Sequence, residues 1–599
     1  MSSITRVDDA LDDISPALRR FLAHRSGVLA QRLSLAEPAW RVWGHAQLFD
    51  SAPRLRELGD SGVELREGLD YDGARDRGSR EQLGQFFTPP ALADLLVGIA
   101  GVDAHSSATV LDPACGAGSV LLGVCRARFA AGATIADVLG SVEGWDRDEL
   151  AAWTCRAELV AWALDHAREG SAAPAPLEIH GGVDALQVHG RPAEALREKV
   201  AAVVTNPPYL EAKWMRRAEP GLRERLRERF DQLSGAFDLY MAFCWLALDL
   251  VGDDGRIGLL LPNKVLQGRY AAGLRHALLP RLTRIADLSR MKPRPFPGTG
   301  VYPILLGASA GPVSGPILTR RVDAPADLAR DEWSELDREL PQRVGGEVPL
   351  FVPFRRTMDL LVSAFDGPRL GEVASVASTC SFHRKGLRER FVARARPRAD
   401  GYPYLGGLSR ARRTEVAPFQ VRWEGFHIHY DQRALKEEHR NPLPNLERTF
   451  LRPKIIFCQH GLRVRPVADA EGVWVTKDTY PVAWPNDPAW SLHKLLAVMA
   501  STPFTALYNT VYQGIVVGGE TYHYLPAFLR PIPVPHAGHP AMDRAAWLAA
   551  ELSAADGAVD PDAWADLDRA VCAAWGFDEG ARQRMADVHL RRVGAESPS

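Results

Sequence analysis

From residue 81 to 309, short apolar runs alternate with longer segments whose apolar positions recur at helical spacing. That alternation predicts a doubly wound α/β sheet covered by helices. Strands are predicted at Thr109–Leu111, Val138–Val142, Leu177–His180, Ala201–Thr205, Arg256–Leu261, Ile285–Ser289 and Val301–Ala308. Helices are predicted at Ala117–Ala131, Glu149–His166 and Ala236–Val251. Val200–Thr205 is almost wholly apolar, as a buried strand requires. Arg216–Arg229 reads as one highly charged helix, a solvated face or, as the alternative, a clamp on a polyanion.

The flanks have a different texture. Residues 1–80 read as helical: Asp12–Leu35 has near-helical apolar spacing, and Trp40 and Trp43 follow. Breaker-rich stretches around Gly311–Pro316 and Pro341–Gly346 mark a linker over 313–345. From 346 to 536, short strand-like runs lie between turns, with a helix at Ser491–Met499. Residues 537–599 read as a helical segment, with two or three helices over Met542–His589. The expected organisation is a Rossmann-like domain at 81–312 and an α+β domain at 346–536.

At 599 residues the chain is too long for one core. It has no run of about 18 apolar residues and no charged-then-apolar leader at its start. Its seven cysteines are scattered without a CxxC pair or a Cys/His cluster. These features point to a cytoplasmic protein with neither structural zinc nor another metal. The net charge of −2 is unremarkable, but its distribution is not. Phe351–Pro466 holds 22 Lys/Arg against 11 Asp/Glu. The peaks include Arg384, Lys385, Arg388, Arg412 and Arg413. Such segregation predicts a basic module that meets a polyanion.

The chemistry gathers at predicted strand ends. Asp112-Pro113-Ala114-Cys115-Gly116-Ala117-Gly118 joins the first strand to a helix. Small residues there let the backbone approach a ligand at the helix N-terminus. Asp146 follows the next strand, where an acid can take both hydroxyls of a ribose; Glu143 is the rival. Asp184 follows the third and can accept from an adenine amino group. Asn206-Pro207-Pro208-Tyr209 follows the fourth. The Asn206 amide oxygen and the Pro207 carbonyl can both accept from one planar NH2, drawing its nitrogen out of conjugation. The prolines fix the backbone, and Tyr209 offers a ring face to a base.

With these motifs in order, the chain resembles the gamma-class, Taq-type, S-adenosylmethionine-dependent DNA adenine-N6 methyltransferases. Gly84-Gln-Phe-Phe-Thr-Pro-Pro90 resembles the family's first motif, which implies that Thr88, and Phe86 or Phe87, lie toward the methionine end of the cofactor. The resemblance makes Asp112, Pro113, Ala114, Gly116, Gly118, Asp146, Asp184 and Asn206 cofactor-side residues. It makes Asn206, Pro207, Tyr209 and Phe296 the group around a flipped adenine, with Phe296 the second aromatic. Cys115 is expected to be a packing residue, since amine methylation needs no covalent intermediate. The implied partner is double-stranded DNA, gripped by the basic C-terminal domain of a nucleoid-associated monomer. The implied setting is restriction–modification or a related phage defence, with a separately encoded nuclease or defence subunits. A protein-glutamine methyltransferase is the alternative on another substrate. The specific motifs span about 81–309; the resemblance of Leu495–Asn509 and Phe528–Pro533 to a specificity domain rests on texture.

Overall fold

The computed structural model describes residues 7–11, 14–50, 52–59, 88–186, 200–296, 301–345, 348–353, 357–378, 392–393, 401–405, 419, 427–429, 446–476, 481–512, 516–517, 521–555 and 559–593. The chain divides into two compact units, Met1–Arg338 and Glu339–Ser599.

The first unit is built on nine strands: β1 (Thr109–Asp112), β2 (Val142–Trp145), β3 (Glu178–His180), β4 (Val200–Thr205), β5 (Arg256–Pro262), β6 (Leu282–Asp287), β7 (Pro303–Ser309), β8 (Ile317–Arg321) and β9 (Ser334–Leu336). Their order is β3-β2-β1-β4-β5-β7-β6-β8-β9. The first five in that order run parallel, while β7 is antiparallel to both β5 and β6. β1 lies between β2 and β4, so the chain leaves it first to one side and later to the other. Such a reversal opens a crevice at the carboxyl ends of the strands.

Helices cover the sheet. They are α1 (Pro16–Leu35), α2 (Pro38–Phe49), α3 (Pro53–Gly59), α4 (Pro90–Ala100), α5 (Ser119–Ala130), α6 (Ile135–Leu139), α7 (Glu149–His166), α8 (Ala212–Ala218), α9 (Leu222–Arg229), α10 (Tyr240–Leu250) and α11 (Ala272–Leu278). Buried residues of α1 and α2, including Leu22, Leu29, Trp40 and Trp43, join the same core as Trp153 and Val160 of α7. The indoles complete the join: Trp40 donates to the Ser171 carbonyl at 2.9 Å, Trp43 to Ala175 at 3.0 Å and Trp153 to Leu48 at 2.9 Å. The N-terminal helices therefore brace α7, which starts beside the crevice.

Three sequence expectations need correction. Val138 and Leu139 belong to helix α6, not to a strand. Thr134 caps that helix by accepting from the Asp137 N–H at 3.2 Å, and Val138 and Leu139 form its buried side. The strand starts instead at Val142, which sets Asp146 directly beyond its end. The charged stretch after the Asn-Pro-Pro-Tyr turn is two helices, broken at Gly221, whose φ of +84° suits glycine. Within the expected linker at 313–345, β8 and β9 extend the sheet because Ile317 and Leu336 pair across them and are fully buried.

In the second unit, Ala374–Ser378, Pro481–Pro485, Lys454–Phe457 and Pro466–Asp469 form a four-stranded antiparallel sheet. The expected helix near 491–499 runs Leu492–Ala500, capped by Ser491. Three helices close the chain: Pro540–Ala554, Pro561–Ala574 and Glu579–Val593. Asp568 accepts from the Thr502 N–H at 2.8 Å, tying the middle one to the helix Thr502–Val511. Several cations counted in the basic excess serve this interior. Lys454 forms a buried ion pair with Asp469, and Arg463 is half-buried over the Trp564 ring with its pKa lowered to about 10 by desolvation. No helix among the described residues is long and apolar enough to cross a membrane.

Candidate active site

A cavity of about 400 Å³ opens at the carboxyl ends of β1 to β4. Its floor is the turn from Asp112 to Ala117. Gly116 and Gly118 have φ of +54° and +88°, which L side chains rarely adopt. A Cβ on Gly118 would also lie 2.7 Å from the Cys155 Sγ of α7. The turn is therefore closely packed from behind while its backbone faces the cavity.

Asp146 organises this turn. Its carboxylate accepts from the Gly116 N–H at 2.8 Å and from the Asp148 N–H at 2.7 Å. Asp148 in turn caps α7, accepting from Leu150 and Ala151. Glu143, the rival, lies back on β2, accepts from the Trp145 indole at 2.8 Å and is not part of the cavity wall. Asp184 faces the cavity from the loop after β3 and accepts from the Leu186 N–H at 3.0 Å.

The wall is strongly acidic. Among the described residues, Asp112, Asp146, Asp148, Asp184 and Glu219 line it, against a single guanidinium, Arg147, which pairs with Glu219 at 3.2 Å. Asp112 is 1% exposed, and its pKa is raised to about 7. Burial is the main cause and Asp146 adds to it, whereas the Thr205 hydroxyl and the Ala114 N–H oppose it. A cleft of this charge favours a cation. Val183, Ala185, Leu186, Leu210, Leu239 and Phe243 supply apolar walls for a flat ring. The last two stand one helical turn apart near the start of α10. Sequence reading missed them, although their i, i+4 spacing was visible.

Asn206 stands at the end of β4 on the cavity wall. Its Nδ2 donates to the Thr88 Oγ1 at 3.0 Å, joining residues 118 positions apart. Thr88 is buried immediately before Pro89 and α4, and it also lines the cavity. The Tyr209 hydroxyl lies within hydrogen-bond reach of both the Asn206 Oδ1 and the Leu260 carbonyl, the latter at 2.9 Å. The amide plane is thereby held from both ends.

Pro113, Ala114 and Gly116 line the cavity with Asp112; Gly118 instead begins α5 behind them. Pro207 and Tyr209 are not in its wall, and the Tyr209 ring meets the edge of Tyr240 at 6.2 Å. Phe296 is 5% exposed and packs in the core. Cys115 lines the cavity, but its neighbour Cys155 and burial hold its thiol well above the usual range. It is thus protonated and a poor nucleophile. Phe86, Phe87, Arg384, Lys385, Arg388, Arg412 and Arg413 lie outside the described residues. No cluster of potential metal ligands occurs among the described residues.

No curated protein sequence matches the chain. Among solved structures, the chain is similar to the Type IIL restriction-modification enzyme MmeI in complex with DNA, at 13% identity and a TM-score of 0.57, covering 90% of this chain and 84% of that one. At that identity the likeness speaks for the fold. The type IIG restriction endonuclease BpuSI matches at 14% identity and a TM-score of 0.45, with 98% and 79% of the two chains covered. The DrdV–DNA complex matches at 12% and 0.47, with 92% and 68% covered. Residues 73–281 match the family model described as N-6 DNA Methylase. Every residue of the cavity wall falls within those bounds.

Proposed function

We propose that this chain is an S-adenosylmethionine-dependent DNA methyltransferase acting on the N6 amine of adenine. The observation that carries the reading is the Asn206 amide, held by Thr88 and Tyr209 beside an acidic cleft of nucleoside size. Bound S-adenosylmethionine would supply an electrophilic methyl on a sulfonium. The residues present fit such a group: five carboxylates suit its positive charge, the Asp112–Ala117 turn admits close backbone approach, and the apolar walls suit its adenine. Asp146 is proposed for the ribose hydroxyls, Asp184 for the adenine amine, and Asp112 and Thr88 for the methionine end.

The amine enters within reach of Asn206. An amide oxygen accepts two hydrogen bonds, so Asn206 can take one from Tyr209 and one from the substrate NH2. The Pro207 carbonyl is proposed as the second acceptor. Together they would hold the nitrogen lone pair toward the cofactor, and rate would come from positioning. A base inside a duplex cannot reach this wall, so the target adenine must leave the helix. Tyr209 is the proposed aromatic grip, whereas Phe296, packed in the core, is not proposed as a second, and the basic stretch around Arg384 to Arg413 is the proposed DNA grip. Protection of host DNA in restriction–modification, in a soluble cytoplasmic setting, is the proposed biological role. The test is transfer of tritium from labelled S-adenosylmethionine into unmethylated DNA. After nucleoside digestion the label should elute as N6-methyldeoxyadenosine; label in cytosine, or in protein alone, would refute the reading.

A further inference from the structure

Helix α8 connects two parts of the cleft wall. Leu210 precedes it and Glu219 follows it, and both face the cavity. The helix therefore stands at the rim, six residues beyond Asn206 at its near end by chain order. Met215 anchors it with no exposure, and the Met215 N–H donates to the Glu211 carbonyl at 3.0 Å. The opposite side is unlike an ordinary solvated face. Trp214 is 38% exposed there, between Lys213 and the exposed Arg216 and Arg217. The Lys213 ammonium lies 5.5 Å from the indole centroid and the Arg217 guanidinium 4.9 Å.

The charge at this rim is positive. Lys213 and Lys264 share the Glu211 carboxylate, at 3.5 and 3.3 Å, while Arg216 and Arg217 add two further cations. A protein partner would call for an apolar patch around Trp214, yet its exposed neighbours are charged: Lys213, Arg216 and Arg217, with Glu211 already paired to Lys213 and Lys264. An exposed aromatic among cations matches a nucleic acid: the ring stacks on a base, and the cations move to phosphates.

Resting on the DNA-methyltransferase reading, we propose that α8 is a DNA contact at the cleft mouth. The Trp214 indole stacks on a base at or beside the target position, and Lys213, Arg216 and Arg217 hold neighbouring phosphates. The site is separate from the cofactor wall, because none of these four side chains lines the cavity.

The test uses the full chain and plasmid fragments substituted with bromodeoxyuridine. Ultraviolet cross-linking and trypsin digestion should leave nucleotide on the Trp214–Arg216 peptide. Trp214→Ala should weaken DNA binding by roughly 5- to 150-fold, the range for one base–aromatic stack. Trp214→Phe should recover most of that loss, and S-adenosylmethionine binding should stay at the parent level in both, which verifies folding. Replacing Arg216→Gln and Arg217→Gln together should reduce the salt slope of DNA binding by about 2. A parent that cross-links through Trp214 but transfers no methyl keeps this surface and removes the methyltransferase reading. A parent that methylates DNA while Trp214→Ala binds it within about twofold removes the surface and keeps the reading. A parent that binds no DNA overturns both.

Discussion

Asp112 gives a quantitative handle on the cleft. Its pKa, raised from 3.8 to about 7 chiefly by burial, means that the folded protein keeps a proton the unfolded chain has already lost. Between about pH 4 and 7 the native state therefore binds more protons, and its stability falls as pH rises. By about pH 8 the ionised carboxyl opposes folding by about 4 kcal/mol, at ~1.4 kcal/mol per pKa unit. A bound cation reverses the preference, because opposite charge favours the carboxylate. At about pH 6 the carboxyl is roughly nine-tenths protonated, so binding S-adenosylmethionine should release close to one proton; at about pH 8 the release should fall to roughly a tenth. Titration calorimetry in two buffers of different ionisation enthalpy reads this number directly. Asp112→Asn should abolish the release near pH 6 and flatten the fall of melting temperature above about pH 5 relative to the parent. Cofactor binding by the parent with no proton release near about pH 6 would refute the account of this wall.

Asp146→Ala should weaken S-adenosylmethionine by roughly 10- to 150-fold, from a lost charge-assisted contact of about 1.5–3 kcal/mol, and calorimetry showing the parent affinity would remove Asp146 from the ribose. Gly118→Ala puts a methyl 2.7 Å from the Cys155 Sγ at a φ of +88°, so thermal unfolding should report a loss of stability; an unchanged melting temperature would contradict the packing described. Tyr209→Phe keeps the ring and removes the hydroxyl from Asn206 and Leu260; turnover should drop about tenfold with cofactor affinity unchanged, and parent turnover would show that the hydroxyl positions nothing.

Local chemistry made the strand-end motifs legible, because Asp112, Asp146, Asp184 and Asn206 each follow a short apolar run. The order of those runs also carried the parallel sheet. Partners far apart along the chain were not legible. Nothing in the text of the sequence joins Thr88 to Asn206, or Trp40 to Ser171, since tertiary packing alone makes those pairs. Val138–Leu139 was misread because a short apolar run serves a helix or a strand equally well, and the Thr134 cap decided it. The basic excess overstated the outer charge for a similar reason. Composition counts Lys454 and Arg463 without showing that one sits in a buried ion pair and the other against an indole.

The most direct measurement is long-read sequencing of genomic DNA from a methylation-deficient bacterial host that expresses either this chain or its Asn206→Ala variant. The parent should place N6-methyladenine at every copy of one short sequence, and the variant should leave that sequence unmodified while still binding S-adenosylmethionine. Adenine methylation that persists in the variant, or a parent genome with no modified adenine, would contradict the role assigned to Asn206 and the cleft beside it.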